Sequence, residues 1–265
     1  MKSKDNIGVR MKTYYEEIPK TKLMRRTPVA IRIDGKVFHT FTRGFIKPFD
    51  ATFMTSMQTT MMHLCENIQG CVLGYTQSDE ITLILVDYEH LNSSAWFDYE
   101  VQKLCSVSAS MATMAFNRHF REIAISNYER DKAFWADNDK WLAHSEQLYQ
   151  TYSKVFDAAM FDARCFNVPK EEVTNLLYWR QLDAIRNSVQ SVGQHYFKQS
   201  ELQNKSQDDI LFMLHTQKNI DWFDVYSIPE KRGSCCIKNK KGKWFVDLDI
   251  PIFKNEGREY IERLI

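Results

Sequence analysis

The sequence lacks the long apolar segments and the regular cysteine spacing that mark membrane and disulfide-rich proteins. No run in its 265 residues approaches the roughly 20 apolar residues of a membrane span. The charged N-terminus also lacks the apolar core of a signal peptide. The six cysteines contain no Cys-x-x-Cys pair, which argues against a zinc ribbon or a disulfide scaffold. We therefore expect a cytoplasmic protein with reduced cysteines and no membrane contact.

An excess of one charge is also absent. The formal net charge is +1, so a nucleic-acid partner would have to bind local basic patches. The first 27 residues carry several lysines and arginines, and we expect them to form a solvated arm. Neither an internal repeat nor a low-complexity linker divides the chain, which predicts one unit over residues 1–265. Cys235 and Cys236 are adjacent in a predicted strand, where one thiol should point inward and the other outward.

Two apolar segments that each carry an aspartate are at the centre of the interpretation. Residues 74–86 contain a polar turn with Asp79, directly before a strongly apolar run. Residues 29–34 alternate at the two-residue period of a strand and end on Asp34, with a glycine next. Each segment therefore predicts a strand with an aspartate at one of its ends.

The other predicted elements follow from hydrophobic periodicity and from capping residues. Asp50 caps a predicted helix, and the polar residues 92–94 precede a long helix predicted over about residues 95–120. Further along we predict a charged helical hairpin at 126–158, a strand at 161–168, helices beginning at Pro169 and Ser206, and a terminal hairpin formed by 234–239 and 243–249.

The element order is strand, helix, strand, strand, helix, strand, which is the ferredoxin-like βαββαβ pattern of an α+β fold, an α/β sandwich. A right-handed crossover makes the first two strands parallel, and the third strand fills the gap between them. The end of the first strand then lies beside the beginning of the third. This topology brings Asp34 and Asp79 together.

Two converging aspartates beside a glycine are suited to magnesium and a triphosphate. We expect Asp34 and Asp79 to bridge two Mg²⁺ ions, with the Gly35 carbonyl as a further ligand and Glu80 pointing elsewhere. The loop from Gly35 to His39 and the Ser78 hydroxyl would offer hydrogen-bond donors to the phosphates. Lys47 and Lys103 are further candidate phosphate contacts.

Each of these residues also has a plain structural interpretation. Asp34 with the following glycine could be a hairpin turn, although no complementary strand follows at hairpin distance. Asp79 could belong to a solvated turn, and lone lysines are usually solvated. The aromatic pair Tyr178 and Trp179 favours a place in the core over a surface for base stacking. Only the convergence of the two aspartates favours a metal site.

Short motifs extend along residues 29–235. They are residues 32–39 (Arg-Ile-Asp-Gly-Lys-Val-Phe-His), 47–48 (Lys-Pro), 75–80 (Tyr-Thr-Gln-Ser-Asp-Glu), 161–164 (Phe-Asp-Ala-Arg), 179–183 (Trp-Arg-Gln-Leu-Asp) and 231–233 (Lys-Arg-Gly). In combination and spacing they resemble the tRNA-His guanylyltransferase family and its Thg1-like relatives. The resemblance implies a palm-like catalytic core, related to that of polymerases and nucleotidyl cyclases, over residues 29–168. A helical and hairpin part would follow at 169–265.

The resemblance implies addition of nucleotides to the 5′ end of tRNA in the 3′ to 5′ direction. A 5′-monophosphate is activated with ATP, or an existing 5′-triphosphate is used, and the 3′-hydroxyl of an incoming nucleotide such as GTP then attacks the 5′ end. Two Mg²⁺ ions and a homotetramer, a dimer of dimers, are also implied. Matched by position, the metal ligands are Asp34, Gly35 and Asp79, and the nucleotide site comprises Asp34, Gly35, Lys36, Val37, Phe38, His39, Ser78 and Asp79. Candidate tRNA contacts in the later motifs are Arg180, Asn187, Lys231 and Arg232.

Two segments depart from the eukaryotic pattern. Where those enzymes have His-Ile-Asn-Asn, this chain has residues 185–188, Ile-Arg-Asn-Ser. Basic residues usual after the Trp-Phe pair of the long helix are replaced at positions 98–100, leaving Lys103. The first departure favours template-directed repair of tRNA 5′ ends over dedicated addition of guanosine to tRNA-His. A palm-fold nucleotidyl cyclase and a noncatalytic RNA-binding module remain as alternatives.

Overall fold

The computed structural model describes residues 6–265, which contain a six-stranded sheet in the order β4-β1-β3-β2-β5-β6. All neighbouring strands are antiparallel. The strands are β1 (Val29–Gly35), β2 (Cys71–Gln77), β3 (Glu80–Leu85), β4 (Phe161–Asn167), β5 (Ser234–Lys238) and β6 (Trp244–Asp247).

The order of the first four strands confirms the ferredoxin-like prediction. β3 lies between β1 and β2 and is antiparallel to both, so that β1 and β2 are parallel. The predicted terminal hairpin is also present, and it extends the same sheet because Cys235 of β5 pairs with Tyr75 of β2.

Helices cover both faces of the sheet. They are α1 (Ile7–Met11), α2 (Phe38–Phe41), α3 (Ala51–Asn67), α4 (Val101–Phe134), α5 (Asp139–Ser153), α6 (Lys170–Tyr196), α7 (Gln199–Leu202), α8 (Gln207–Lys218), α9 (Trp222–Val225), α10 (Ile228–Arg232) and α11 (Glu259–Glu262), with a π-helical turn at Lys12–Glu16 and 3₁₀ turns at Trp96–Tyr99 and Asn255–Arg258. None of the helices within residues 6–265 is long and apolar enough to cross a membrane.

Strand alternation divides the core between the two faces. Ile31 and Ile33 of β1 pack with the α3 and α4 side chains, including Met61 and Phe116. Ala30 packs on the other face with residues of α6. Since both faces are covered, every residue of β3 is buried, which explains its nearly continuous apolar sequence.

The long helix differs from its predicted bounds at both ends. Residues 96–99 form a 3₁₀ turn in which Phe97 and Asp98 have φ of 49° and 51°, so α4 begins only at Val101. It then continues to Phe134 because no glycine or proline interrupts residues 101–134. The end of α4 and the helix α5 form the charged helical hairpin that was predicted.

The N-terminal arm is only partly solvated. Residues 1–5 lie outside the described part of the chain, and residues 7–17 are exposed as predicted. The following segment packs against the sheet instead. The Arg25 guanidinium pairs with the buried carboxylate of Asp87, and the backbone N–H of Met24 donates to Asn167 Oδ1 at 2.8 Å. A buried carboxylate needs such a partner, which explains why this part of the arm is ordered.

The two adjacent cysteines correct another prediction. Cys235 and Cys236 point to opposite faces of β5, but both are fully buried because helices or loops cover each face. Burial raises the pKa of the Cys235 thiol well above its usual range. Neither thiol is therefore placed for redox chemistry.

Candidate active site

The ends of β1 and β3 meet at the turn between β2 and β3. The Gly35 N–H donates to the backbone carbonyl of Asp79 at 3.0 Å. Asp34 lies opposite Glu80 on one side and opposite Asp162 on the other. The topology thus brings Asp34 and Asp79 to the same end of the sheet, as the element order predicted.

These carboxylates repel one another in a partly dry environment. Burial raises the pKa of Asp79, and the charge of Asp34 raises it further. The pKa of Asp34 is likewise raised, first by burial and then by the charges of Glu80 and Asp162. A cation bound here would relieve this repulsion and favour the ionised carboxylates.

The donor set fits magnesium in chemical type. Two carboxylates and the Gly35 carbonyl supply the hard oxygen ligands that Mg²⁺ prefers. Residues 6–265 contain no group of three or more histidine, cysteine, aspartate or glutamate side chains that could hold a metal by themselves. Magnesium commonly binds through one or two carboxylates and completes its shell with substrate phosphates and water. Asp34 and Asp79 match that mode of binding.

Glu80 points away from this pair, into a buried ion-pair network. Arg180 Nη2 donates to Glu80 Oε2 at 2.9 Å, and Arg32 Nε donates to Oε1 at 3.1 Å. Arg180 also donates to Asp183 at 2.8 Å. The Arg180 side chain is only 7% exposed. Arg180 therefore supports the β2–β3 turn from inside the protein, through its contacts with Glu80. This structural role replaces the interpretation of Arg180 as a direct tRNA contact.

A cavity of about 470 Å³ opens beside Asp79. Its walls come from the end of β1, the loop before α3, the β2–β3 turn, α6 and α10. The residues named from the sequence that line it are Gly35, Val37, Phe38, His39, Lys47, Ser78, Asp79 and Asn187.

The loop that forms one wall is held by Asp50. Its carboxylate accepts hydrogen bonds from the N–H groups of Ile46 and Phe53, at 3.0 and 2.9 Å, and from the Tyr152 hydroxyl at 2.7 Å. The sequence predicted the helix cap but not the tyrosine, which comes from α5. Asp50 thereby ties the helical hairpin to the cavity wall.

The N–H groups at the start of α2 face no protein acceptor. Val37 has a left-handed backbone with φ 58°, and α2 begins directly after it. Among residues 6–265, the backbone N–H groups of Val37, Phe38 and His39 have no hydrogen-bond acceptor. Free N–H groups beside a cavity are suited to an anion such as a phosphate.

The α6 wall adds a polar residue, Ser191, that sequence reasoning missed. Asn187 and Ser191 lie one helical turn apart and both line the cavity. Ser188 is buried, and its hydroxyl accepts a hydrogen bond from Trp222 Nε1 at 3.2 Å. The four-residue spacing of Asn187 and Ser191 was the available signal for a second polar residue on this wall.

Six predicted residues do not line the cavity within this chain: Asp34 and Arg180, whose places are given above, and Lys36, Lys103, Lys231 and Arg232. Lys103 pairs with Glu100 near the start of α4, and that end of the helix lies beside the far end of β4. Arg232 donates to the Ile250 carbonyl at 2.9 and 3.0 Å. Lys231 donates to a carbonyl of α9, and Lys36 is exposed on the outer side of the loop.

Gly35 leaves no space for a side chain. A Cβ at this position would lie 2.4 Å from the Phe38 ring, which is itself packed among other aromatic rings. We expect Gly35→Ala to lower the free energy of unfolding by about 1–3 kcal/mol through overpacking. Urea denaturation measures this loss.

The same substitution in a Phe38→Leu protein identifies the cause of this loss of stability. Gly35→Ala should cost less when Phe38 is already replaced by leucine, because the smaller side chain gives way. An equal loss in both backgrounds would show that the Phe38 ring is not the obstacle.

Comparison with known proteins supplies a family. Residues 8–169 match the sequence pattern of the family described as tRNAHis guanylyltransferase. An uncharacterized protein of Acanthamoeba polyphaga mimivirus is 30% identical over 83% of this chain and 73% of that protein. A probable tRNA(His) guanylyltransferase of Dictyostelium discoideum is 24% identical over 63% of this chain, and the tRNA(His) guanylyltransferase of Schizosaccharomyces pombe is 26% identical over 66% of this chain. The chain spans 54% and 55% of the lengths of these two proteins, respectively.

Solved structures extend the similarity over almost the whole chain. A bacterial tRNA(His) guanylyltransferase-like protein in complex with ATP superposes with a TM-score of 0.80 and 39% identity, over 97% of this chain and 98% of the other. A second such structure, in complex with GTP, gives 0.74 and 35%, over 98% and 99%. The tRNA(His) guanylyltransferase of Saccharomyces cerevisiae, at 18% identity and a TM-score of 0.61 over 90% of this chain and 96% of that one, shares the fold.

Proposed function

The chain belongs to the tRNAHis guanylyltransferase family of nucleotidyltransferases, and we therefore propose that it adds nucleotides to the 5′ end of tRNA in the 3′ to 5′ direction. In this proposal the opposite strand of the acceptor stem directs the addition, as in repair of a truncated 5′ end. The observation that carries the proposal is the cavity beside Asp79, in a chain that resembles a nucleotide-bound relative along nearly its full length.

The cavity supports binding of a nucleoside triphosphate. Relatives at 39% and 35% identity are in complex with ATP and with GTP, so we propose both as substrates. Lys47 on the loop supplies a cation for phosphate oxygens, and the free N–H groups of Val37 to His39 supply donors. Ser78 donates to Asp79 at 3.1 Å and so fixes the orientation of that carboxylate.

Asp34, Asp79 and the Gly35 carbonyl would hold two Mg²⁺ ions. Bound magnesium stabilises negative charge on the phosphoryl group and its pyrophosphate leaving group. The residues of this chain hold the metal ligands in position. The Glu80–Arg180 pair fixes the start of β3 directly after Asp79, and the packed Phe38 ring fixes the backbone at Gly35.

A dedicated tRNA-His guanylyltransferase is the second candidate, since the family description and the named relatives support it. The α6 wall argues for the broader substrate range. The segment 185–188 of this wall contains one asparagine, Asn187. The Ser188 hydroxyl already accepts a hydrogen bond from Trp222, and Ile185 packs in an apolar cluster. Residues 185–188 contain no histidine that could recognise a particular tRNA.

An extension assay tests the proposal. Purified protein is given magnesium, ATP and the four nucleoside triphosphates, with either an end-labelled tRNA lacking its first nucleotide or full-length tRNA-His. We expect the truncated tRNA to be extended with the nucleotide complementary to the opposite strand. Addition of guanosine to tRNA-His alone would favour the dedicated enzyme. Extension of neither RNA would contradict both candidates.

We also propose the homotetramer that the resemblance implies. The N-terminal segment supports an interface because Ile7, Tyr15 and Ile18 are each at least 65% exposed. Such apolar exposure on a surface segment is typical of a region covered by another subunit. Light scattering on the purified protein measures the assembly, and a monomeric mass would contradict the proposal.

A further inference from the structure

Trp179 is exposed on α6, although its aromatic neighbour predicted a core position. The indole is 52% exposed, and the guanidinium carbon of Arg180 lies 4.4 Å from its ring centroid. The guanidinium of Arg32 lies 5.4 Å from the same centroid. Since both arginines also pair with Glu80, they approach the ring from the protein side and brace it. The ring is therefore held rigid while half of its surface is open.

The strands beside Trp179 carry two pairs of like charges. Arg32 lies directly opposite Arg164, and Asp34 lies directly opposite Asp162. Like charges at directly opposed positions destabilise a sheet. The Arg164 side chain is 56% exposed, and its one ion pair within residues 6–265 is a long contact of 3.5 Å to Asp162. It is thus available to an anion.

This surface borders the candidate active site. Arg32 precedes Asp34 by two residues on the same face of β1, a separation of about 7 Å along the strand. Arg32 contacts the Trp179 ring and lies directly opposite Arg164, so both side chains are neighbours of Arg32. A molecule bound over Arg32 on the α6 face of the sheet would lie near both side chains and two residues from Asp34.

We propose that Trp179 and Arg164 form a binding subsite for the terminal nucleotide of the RNA substrate. The indole stacks on the base of the 5′-terminal nucleotide, and the Arg164 guanidinium binds its phosphate. The proposal rests on the proposed function, because an RNA 5′ end must be presented beside Asp34. Base stacking on an exposed aromatic ring accepts any base, which suits an enzyme that acts on 5′ ends of differing sequence.

RNA is favoured over a second protein subunit by the chemistry of this surface. The guanidinium groups of Arg32 and Arg180 lie against the open indole, and Leu182 is an exposed apolar side chain one turn along α6. An arginine-rich setting with one braced aromatic ring is suited to a base and its phosphate. A subunit interface would instead require a contiguous apolar patch.

A binding experiment isolates the stacking contact. The probes are two 3′-labelled RNA hairpins with a 5′-monophosphate and one unpaired 5′-terminal nucleotide, which carries its base in one hairpin and is abasic in the other. We expect the wild-type protein to bind the first hairpin about tenfold more tightly. Trp179→Ala should bind both hairpins equally, and Trp179→Phe should retain most of the preference.

Trp141→Ala is the matched control, because Trp141 is 49% exposed and stacks on Trp135 in the helical hairpin. It should behave as the wild type. A Trp179→Ala protein that keeps the full preference for the base would overturn the proposal. So would a change in its mass by light scattering, which would identify a subunit contact instead.

Arg164→Gln tests the phosphate contact. It should weaken binding of both hairpins by the same factor and reduce the salt dependence of log Kd by about one. Arg121→Gln is its control, since Arg121 is a similarly exposed arginine paired with Asp157. An unchanged salt slope in Arg164→Gln would remove this residue from the subsite.

The outcome for the wild-type protein separates the two levels of the proposal. If it extends tRNA but shows no preference for the base, the subsite fails and the proposed function stands. If it neither extends tRNA nor binds either hairpin, the proposed function fails with it.

Discussion

Replacement of Asp79 by asparagine is expected to abolish nucleotide addition without loss of the fold. Asparagine keeps the shape of the side chain and removes the charge that would hold a metal. A bound metal supplies several kcal/mol of charge stabilisation, so the loss of one of its two carboxylates should lower kcat by about a thousandfold or more. Single-turnover extension of the truncated tRNA measures this change.

The stability of the Asp79→Asn protein, in contrast to its activity, should not fall. The native fold raises the pKa of Asp79, first through burial and then through Asp34. A carboxyl group with a raised pKa binds its proton more tightly when folded, so its ionised form opposes folding at pH values above that pKa. The neutral asparagine removes this penalty at neutral pH. Urea denaturation should therefore show an unfolding free energy at least equal to that of the wild type.

The control for this variant is Asp137→Asn, which neutralises an exposed carboxylate at the tip of the helical hairpin. It should leave both kcat and stability unchanged. Near-normal extension by Asp79→Asn would disprove the assignment of Asp79 as a metal ligand. Loss of activity together with loss of folding would move Asp79 to a structural role.

Replacement of Arg180 by methionine is expected to cost about 3 kcal/mol of stability, because it leaves the buried Glu80 carboxylate without its main partner. The loss falls at the lower end for a broken buried ion pair because Arg32 still contacts Glu80 at 2.9 Å. Equilibrium denaturation in urea measures it. The exposed pair of Arg121 and Asp157 is the matched control, and Arg121→Met should cost less than about 1 kcal/mol.

A double-mutant cycle separates the ion pair from packing. Glu80→Gln and Arg180→Met together should cost less than the sum of the two single variants by at least about 1 kcal/mol, because the double variant does not leave either member of the Glu80–Arg180 pair buried without the other. Additive losses would show that Arg180 acts through its apolar stem alone.

The helix α6 shows where prediction from sequence failed. The helix start after Pro169 followed from the sequence. The orientation of single residues did not. Tyr178 packs on the apolar cluster, but Trp179 is turned by about 100° around the helix and emerges beside Arg32. Which side of a helix meets a sheet depends on packing, and neighbouring aromatic residues do not reveal it.

The prediction that Lys103 contacts a phosphate failed for a related reason. A lysine near a predicted helix start was a reasonable phosphate contact, but the 3₁₀ turn at residues 96–99 sets where α4 begins. The helix then runs so that Lys103 lies by Glu100, away from the cavity. Three consecutive residues of this turn, Phe97, Asp98 and Tyr99, have left-handed backbones, and the local sequence gives little signal for them because none is glycine or asparagine.

The sequence by itself determined the strands, the order of the first four and the meeting of Asp34 with Asp79. These depend on local periodicity and on the handedness of a crossover connection, and both can be read along the chain. Only the tertiary structure decided that Glu80 is neutralised by Arg180, 100 residues away, and that α6 closes the cavity with Asn187 and Ser191. Pairings of this kind arise from the packing of distant segments, and a periodic pattern contains no information about which residues will face one another.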